Sequence, residues 1–270
     1  RGGSIGSGNS RKAKSRASMK LKDKVVMITG GGSGLGREMG LTFAREGATI
    51  GVNDIKPESA QNVVTEIERA GGKARPFVAD VSSSAAVAKM FAEFITTFGT
   101  IDILINNAGI ARSRETSVAT PTHEKTDEDW HKMLATHLDS TFYCTREALK
   151  VMLPKQSGRI INMGSIAGTT GLAFASDYCA AKGGIIAFTK SVAREVVPLG
   201  VLVNCIAPGF IDTPMTSIID GEMRKQIEAI TPIGRFGEPS DIAAAALFLA
   251  CEDSKFMVGQ VISPNGGYVI

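Results

Sequence analysis

Tyr178 and Lys182 stand four residues apart in the Ala- and Gly-rich run Asp177-Tyr178-Cys179-Ala180-Ala181-Lys182-Gly183-Gly184. Residues at that spacing share one face of a helix, so a phenol and an ammonium look into the same space. A free phenol has a pKa of about 10, and a nearby positive charge favours its phenolate. Upstream, the β-branched run Arg159-Ile160-Ile161-Asn162-Met163 reads as a buried strand ending in Gly164 and Ser165. A hydroxyl there can hold a substrate oxygen and stabilise charge developing on it, while the phenol moves a proton. A lone Tyr–Lys pair is equally an ordinary exposed helix contact. The elements that position the pair decide between the two readings.

The first strand signal, Val25-Val26-Met27-Ile28-Thr29, runs into Gly30-Gly31-Gly32-Ser33-Gly34-Leu35-Gly36 and then a helical pattern from Arg37 to Glu46. A strand, a glycine turn and a helix amino terminus make an anion site. Free N–H groups and the helix dipole face a phosphate, and glycine lets the backbone approach it. The spacing is G-x-x-x-G-x-G at Gly30, Gly34 and Gly36, with Leu35 where the last glycine of the commoner dinucleotide fingerprint would fall. The second strand signal is followed by Asp54. An acid there accepts hydrogen bonds from a ribose 2′-OH and repels a 2′-phosphate, which predicts NAD in preference to NADP. Lys56 softens that discrimination, and a plain N-cap ahead of Lys56–Ala70 is the alternative role for Asp54.

Stepping along the chain, apolar runs at Val25–Thr29, Thr49–Asn53, Arg75–Ala79, Ile101–Asn106, Arg159–Met163, Leu202–Ile206 and Gln260–Ser263 predict strands. Between them Ala60–Ala70, Val87–Phe98 and Trp130–Met152 have helical spacing, the last predicted to lie beside the helix of Tyr178 and Lys182. Sustained strand–helix alternation with near-continuous apolar strands predicts a parallel sheet covered on both faces. Arg112–Asp129, polar and containing Pro121, reads as a loop, and the weakly helical Thr213–Ile230 as a mobile lid. Residues 19–270 form one domain. Residues 1–18, basic and rich in Gly and Ser, read as an appended tag or leader, with an organellar transit peptide as the alternative.

A net charge of +3, with much of the excess in the first 24 residues, argues against a nucleic-acid surface. Cys144, Cys179, Cys205 and Cys251 are scattered without metal-site spacing, which predicts free thiols, a reducing cytoplasmic setting and no metal. No apolar run approaches the roughly 18 residues of a membrane span, so no membrane partner is expected.

With these residues in view, the chain resembles the classical short-chain dehydrogenase/reductase family from Leu21 to Ile270. The motifs follow in the family's order: Thr29-Gly30-x-x-x-Gly34-x-Gly36, Asn106-Asn107-Ala108-Gly109, Ser165, Tyr178-x-x-x-Lys182 and Pro208-Gly209. The resemblance implies a single-domain Rossmann-type α/β fold, a doubly wound parallel sheet of about seven strands, assembled as a homotetramer. It also implies that Asp80-Val81 border the adenine and that Asn107-Ala108-Gly109 close the cofactor groove. Pro208-Gly209, Ile211 and Thr213 then sit against the nicotinamide, and Ser33, Leu35 and Ile55 join Gly30, Gly34, Gly36 and Asp54 around the dinucleotide. Lys182 lowers the pKa of Tyr178 and bonds the ribose.

The family carries Asn within N-L-x-x-x-F on the helix before the serine strand, where it supports a water relay to the lysine. Here the matching run is Thr136-His137-Leu138-Asp139-Ser140-Thr141-Phe142, with His137 at the Asn position. Imidazole donates and accepts, so His137 either serves the relay, titrating near neutral pH, or is a packed helix histidine. His123 and His131 read as surface residues.

The expected activity is an NAD(H)-dependent oxidoreductase interconverting a small-molecule secondary alcohol and a ketone. The run Thr231-Pro232-Ile233-Gly234-Arg235-Phe236-Gly237-Glu238-Pro239 looks like a 3-oxoacyl-carrier-protein reductase, which would draw on NADPH, against Asp54. A non-catalytic dinucleotide-binding protein is the third reading. Substrate-lining residues are expected from Ile110–Asp129, Gly168–Asp177 and Thr213–Ile230, with Ala167, Thr169, Leu172, Phe174, Phe210 and Met215 making the pocket largely apolar.

Overall fold

The computed structural model describes residues 19–110, 120–219 and 221–270. The expectations for residues 1–18 and for 112–119 of the loop lie outside the described residues. Seven parallel strands lie in the order β3-β2-β1-β4-β5-β6-β7. They are β1 (Val25–Ile28), β2 (Thr49–Asp54), β3 (Lys73–Val78), β4 (Ile103–Asn106), β5 (Gly158–Met163), β6 (Val201–Ile206) and β7 (Val261–Ile262). Because strand side chains alternate between faces, Val26 and Ile28 enter one core and Met27 the other. Apolar residues at both parities therefore force a layer of helices on each side.

On one face lie α1 (Gly34–Arg45), α2 (Pro57–Arg69) and a late helix, Pro239–Ala250, packing Met39, Phe43, Val63, Ile67, Ile242 and Leu249 against the sheet. The other face is covered by α3 (Ser84–Phe98) with Phe91 and Phe94, by Ser140–Met152, and by the end of Ser176–Val196. The expected Rossmann-type architecture is the one observed.

Two long helical patterns divide. Trp130–Met152 becomes α4 (Asp127–Leu134), a π-helical turn (Ala135–Asp139) and α5 (Ser140–Met152). At the joint, the Ser140 hydroxyl donates to the Thr136 carbonyl at 2.6 Å and the Thr141 hydroxyl to the His137 carbonyl at 2.7 Å. Such back-bonding competes for carbonyls of the helical ladder. As expected, α4 and the joint pack beside the long helix bearing Tyr178 and Lys182. After the single-turn α6 (Ala167–Thr170) and α7 (Ser176–Val196), the weakly helical stretch Thr213–Ile230 forms a helix only over α8 (Gly221–Ile230). Thr216 explains the loss: its hydroxyl donates to the Ile211 carbonyl at 2.6 Å and accepts the Thr213 N–H at 3.0 Å, which holds that stretch as a turn before α8. The last helix is α9 (Pro239–Ala250).

The chain crosses from edge strand β3 to β4 on the far side of β1. The connections leaving β1 and β4 thus part in opposite directions and open a crevice at the carboxyl ends of the strands, where ligands bind in such sheets. Beneath it runs a buried polar row. Asn106 donates to Thr145 at 3.0 Å and to Asn162 at 2.8 Å, and Asn162 donates to Thr189 at 2.9 Å. This row ties β4 and β5 to α5 and α7. Asn162→Ala is expected to lower the unfolding free energy by about 2–4 kcal/mol, because it strands buried partners and opens a void. Urea denaturation would show it as a lower midpoint with an unchanged slope.

Candidate active site

The crevice holds a cleft of about 280 Å³. Its first wall is the glycine loop. The Thr29 hydroxyl accepts the N–H groups of Asn107 (3.0 Å) and Ala108 (3.1 Å), and the Asn107 amide donates to the carbonyls of Thr29 and Gly30, both at 3.0 Å. These bonds draw the loops after β1 and β4 together until no side chain fits between them. A Cβ on Gly30, which has φ +60°, would lie 2.8 Å from the Ala108 Cα, and one on Gly36 would strike the Gly30 carbonyl. Gly34 also takes a positive φ, +51°. Ser33 caps α1 without a side-chain hydrogen bond, and no acid occupies the first turn. The first-turn N–H groups of α1 therefore remain available to an anion.

Asp54 stands at the end of β2, half-buried on the cleft wall. One carboxylate oxygen accepts the Gly32 N–H at 3.1 Å and the other the Lys56 N–H at 3.0 Å. The carboxylate is thereby oriented beside the glycine loop with lone pairs left over, as a ribose diol requires. Glycine cradle, uncapped helix end and oriented acid fit a nicotinamide dinucleotide.

The second wall carries the residues expected to move the proton. Lys182 is 5% exposed, and its ammonium donates to the Met163 carbonyl at 2.7 Å. Burial pulls its pKa down to about 8, opposed only weakly by Cys205. The ammonium lies 5.7 Å from the centre of the Tyr178 ring. Ser165 follows β5, its hydroxyl accepting the Ala167 N–H at 3.1 Å, which aims the side chain across the strand end. Ser165, Tyr178 and Lys182 all line the same cleft.

His137 lines it too, and it is 1% exposed. Its ring meets that of Tyr178 edge-on, 5.4 Å between centres and 87° between planes. Nε2 lies 3.2 Å from the Ile110 nitrogen and 3.1 Å from the Ile110 oxygen, while buried Nδ1 has no hydrogen-bond partner. Desolvation, followed by the Lys182 charge, lowers its pKa to about 3. The expectation that His137 titrates near neutral pH is therefore corrected. An enclosed imidazole beside an ammonium stays neutral, held to Ile110 through one nitrogen. His123 and His131 are exposed.

Of the residues expected at the site, Gly30, Ser33, Gly34, Leu35, Asp54, Asn107, Gly109, Pro208, Gly209, Ile211 and Thr213 also line the cleft. Gly36 and Ala108 stand behind it, in the contact between the two loops. Ile55 is 60% exposed and outside the cleft wall. Asp80 is exposed and engages Ser82, and Val81 packs into the core beside α3. Leu172, Phe210 and Met215 supply the apolar lining, whereas Ala167, Thr169 and Phe174 do not reach it. Met163, Gly164, Ile166, Pro214 and Thr216 line the cleft without having been singled out. For Thr216 the Thr-Pro-x-Thr pattern of a hydroxyl-bonded turn was the available signal. For Gly164 none existed, because only folding places Cys205 Sγ 2.8 Å from where its Cβ would be.

Comparison with known proteins agrees with this arrangement. A protein-family model described as enoyl-(acyl carrier protein) reductase matches residues 30–269. A 3-oxoacyl-(acyl-carrier-protein) reductase of Thermotoga maritima is 37% identical over 252 residues, 93% of this chain and 100% of the relative. A (2S)-((R)-hydroxy(phenyl)methyl)succinyl-CoA dehydrogenase subunit of Thauera aromatica is 38% identical over 249 residues, 92% of this chain and 98% of the relative. Among solved structures, a 3-oxoacyl-(acyl-carrier protein) reductase from Brucella melitensis superposes with a TM-score of 0.89 at 32% identity, over 94% of this chain and 95% of that one.

Lys182 is held at a cost to stability. Its displacement from 10.5 to about 8 is equivalent to about 3 kcal/mol, at about 1.4 kcal/mol per unit. Below pH 8 the ammonium is charged in both folded and unfolded chains, so the full penalty stands. Between pH 8 and 10.5 the unfolded chain binds more protons and the penalty fades. Lys182→Met is therefore expected to raise the melting temperature of the cofactor-free protein near pH 7, and that advantage over wild type should shrink as pH rises to 10.5. Melting curves of both proteins across this range provide the check.

Proposed function

The chain belongs to the short-chain dehydrogenase/reductase family, and from that premise we propose that this oxidoreductase uses NAD(H) to interconvert a secondary alcohol and a ketone. The observation that carries the reading is the enclosed Lys182 ammonium beside the Tyr178 ring, in a cleft that the glycine loop and Asp54 close at its other end. A bound nicotinamide dinucleotide would supply or accept the hydride. The protein's own residues then bind, orient and move one proton.

Tyr178 is the acid/base: in reduction its phenol gives a proton to the substrate oxygen, and in oxidation its phenolate takes one. Lys182 favours the phenolate through its charge, which acts at high strength because the site is dry. The Ser165 hydroxyl holds the substrate oxygen and stabilises the charge that gathers there. His137, neutral and bonded to Ile110, orients the backbone next to Gly109. Leu172, Phe210 and Met215 take the apolar part of the substrate. The expected homotetramer belongs to this proposal.

A second reading, a 3-oxoacyl-carrier-protein reductase drawing on NADPH, takes support from the names of the Thermotoga and Brucella relatives. Asp54 is the observation against its cofactor, since a 2′-phosphate would meet a fixed carboxylate.

Tyr178→Phe is expected to lower NADH-dependent turnover of a ketone panel by roughly 10²- to 10⁴-fold. Unchanged turnover would exclude Tyr178 as the acid/base. Wild type is expected to prefer NADH, and Asp54→Ala to erode the preference by about tenfold or more, through loss of one unit charge at the ribose. Titration of both cofactors against both proteins measures this, and an NADPH preference in wild type would favour the second reading.

A further inference from the structure

Just ahead of the catalytic tyrosine, the structure contains an ion pair away from solvent. The Lys125 ammonium lies 3.0 Å from a carboxylate oxygen of Asp177, with the two side chains 7% and 4% exposed. That same Asp177 oxygen accepts the backbone N–H of Tyr178 at 2.9 Å. A second contact runs alongside, from the Thr122 hydroxyl to the Ser176 hydroxyl at 3.2 Å. The segment Thr122–Thr126 is thus fastened to the first turn of α7 at two points.

The segment is stiff on both sides of Lys125. Thr122–Glu124 form one 3₁₀ turn, and Thr126 caps α4 by accepting the Asp129 N–H at 3.1 Å. The cap of α7, in contrast, is Ala175, which offers no side-chain acceptor. Asp177 supplies that acceptor from within the first turn, where a negative charge also complements the helix dipole. A carboxylate this well enclosed calls for compensating charge, and Lys125 supplies charge at 3.0 Å.

We propose that the Lys125–Asp177 pair is a positioning device, which docks the segment before α4 onto the start of α7 and so sets where Tyr178 stands relative to Ser165 and Lys182. Neither residue touches the reacting atoms. They act through the backbone of Tyr178, and the inference rests on the acid/base reading of that tyrosine. One helical turn past the pair lies Lys182, anchored to the Met163 carbonyl. The segment of α7 carrying the proton chemistry is therefore held at both ends, by an ion pair at one and a charge-assisted hydrogen bond at the other.

The test separates positioning from folding. Lys125→Met takes the Lys125 charge away from the buried carboxylate. The double variant Lys125→Met/Asp177→Asn removes both charges while an amide oxygen remains to accept the Tyr178 N–H. The double variant is expected to melt near the wild-type temperature and bind NADH with unchanged affinity, yet to lose about ten- to a hundredfold in kcat, the scale of a small misplacement of a reacting group. Its kcat–pH profile should be displaced along the pH axis. Lys125→Arg, which keeps the charge, should restore most of kcat. If Lys125→Met does not fold, the double variant alone decides. A double variant with wild-type kcat and pH profile, or one that cannot fold, overturns the proposal. Full turnover in Tyr178→Phe would instead remove the acid/base reading on which it stands, so the two failures are told apart.

Discussion

The Lys182 ammonium is enclosed in the cleft wall and donates to the Met163 carbonyl at 2.7 Å. A buried charge with so little compensation is unfavourable for a folded chain, and much of the surrounding structure is arranged around it. The carbonyl it uses sits at the very end of β5, where the ladder stops and an acceptor is spare. Gly164 follows directly and lets β5 pass against Cys205 of β6. The Cys205 thiol is pushed up to about 11 by its burial and so adds no second charge. His137 is kept neutral by the same dry environment and by the same ammonium. Of these three groups only Lys182 carries a charge, beside the Tyr178 ring.

Holding that charge beside a cofactor groove requires the ends of three strands to be fixed relative to each other. Two devices do this. Above, four hydrogen bonds from Asn107 and Ala108 to Thr29 and Gly30 bind the loops of β1 and β4 edge to edge. Below, Asn106, Asn162, Thr145 and Thr189 run a polar row through the core. Buried polar networks of this kind are favourable only when well satisfied, which makes their geometry restrictive. The restriction serves the site: a sheet that could slide would lose the contact of Gly30 with Ala108 and the groove with it.

The substrate side is built differently. The turn after β6 is held by the Thr216 hydroxyl, and α8 beyond it has no fully buried residue. It is fastened by Arg224, which bonds Asp212 and Glu228 and stacks 4.3 Å from the centre of the Phe236 ring. Few buried apolar contacts and surface ion pairs make a weakly held element. The glycine-loop end of the cleft is thus tightly bonded and the end toward α8 loosely held, in a chain whose relatives carry the names of enzymes acting on different substrates.

The amino-acid sequence by itself determined the layered parallel sheet, because apolar residues at both parities of each strand leave no other burial. It also singled out the glycine loop, Asp54, Ser165, Tyr178 and Lys182, which the fold brings to one cleft, since those signals are local: a spacing, a turn, a strand end. What the tertiary structure alone decided involves partners distant in the chain. The charge state of His137 depends on Lys182 and on enclosure, neither of which helical spacing encodes. The division of Trp130–Met152 by a π-helical turn was invisible to a periodicity of 3.6 residues, because a single extra residue barely alters the pattern. The Lys125–Asp177 pair joins residues 52 positions apart, and in the sequence each looks like an ordinary surface charge. Local chemistry is legible from residue type, whereas burial and charge pairing belong to the folded whole, because both depend on what long-range contacts exclude water from.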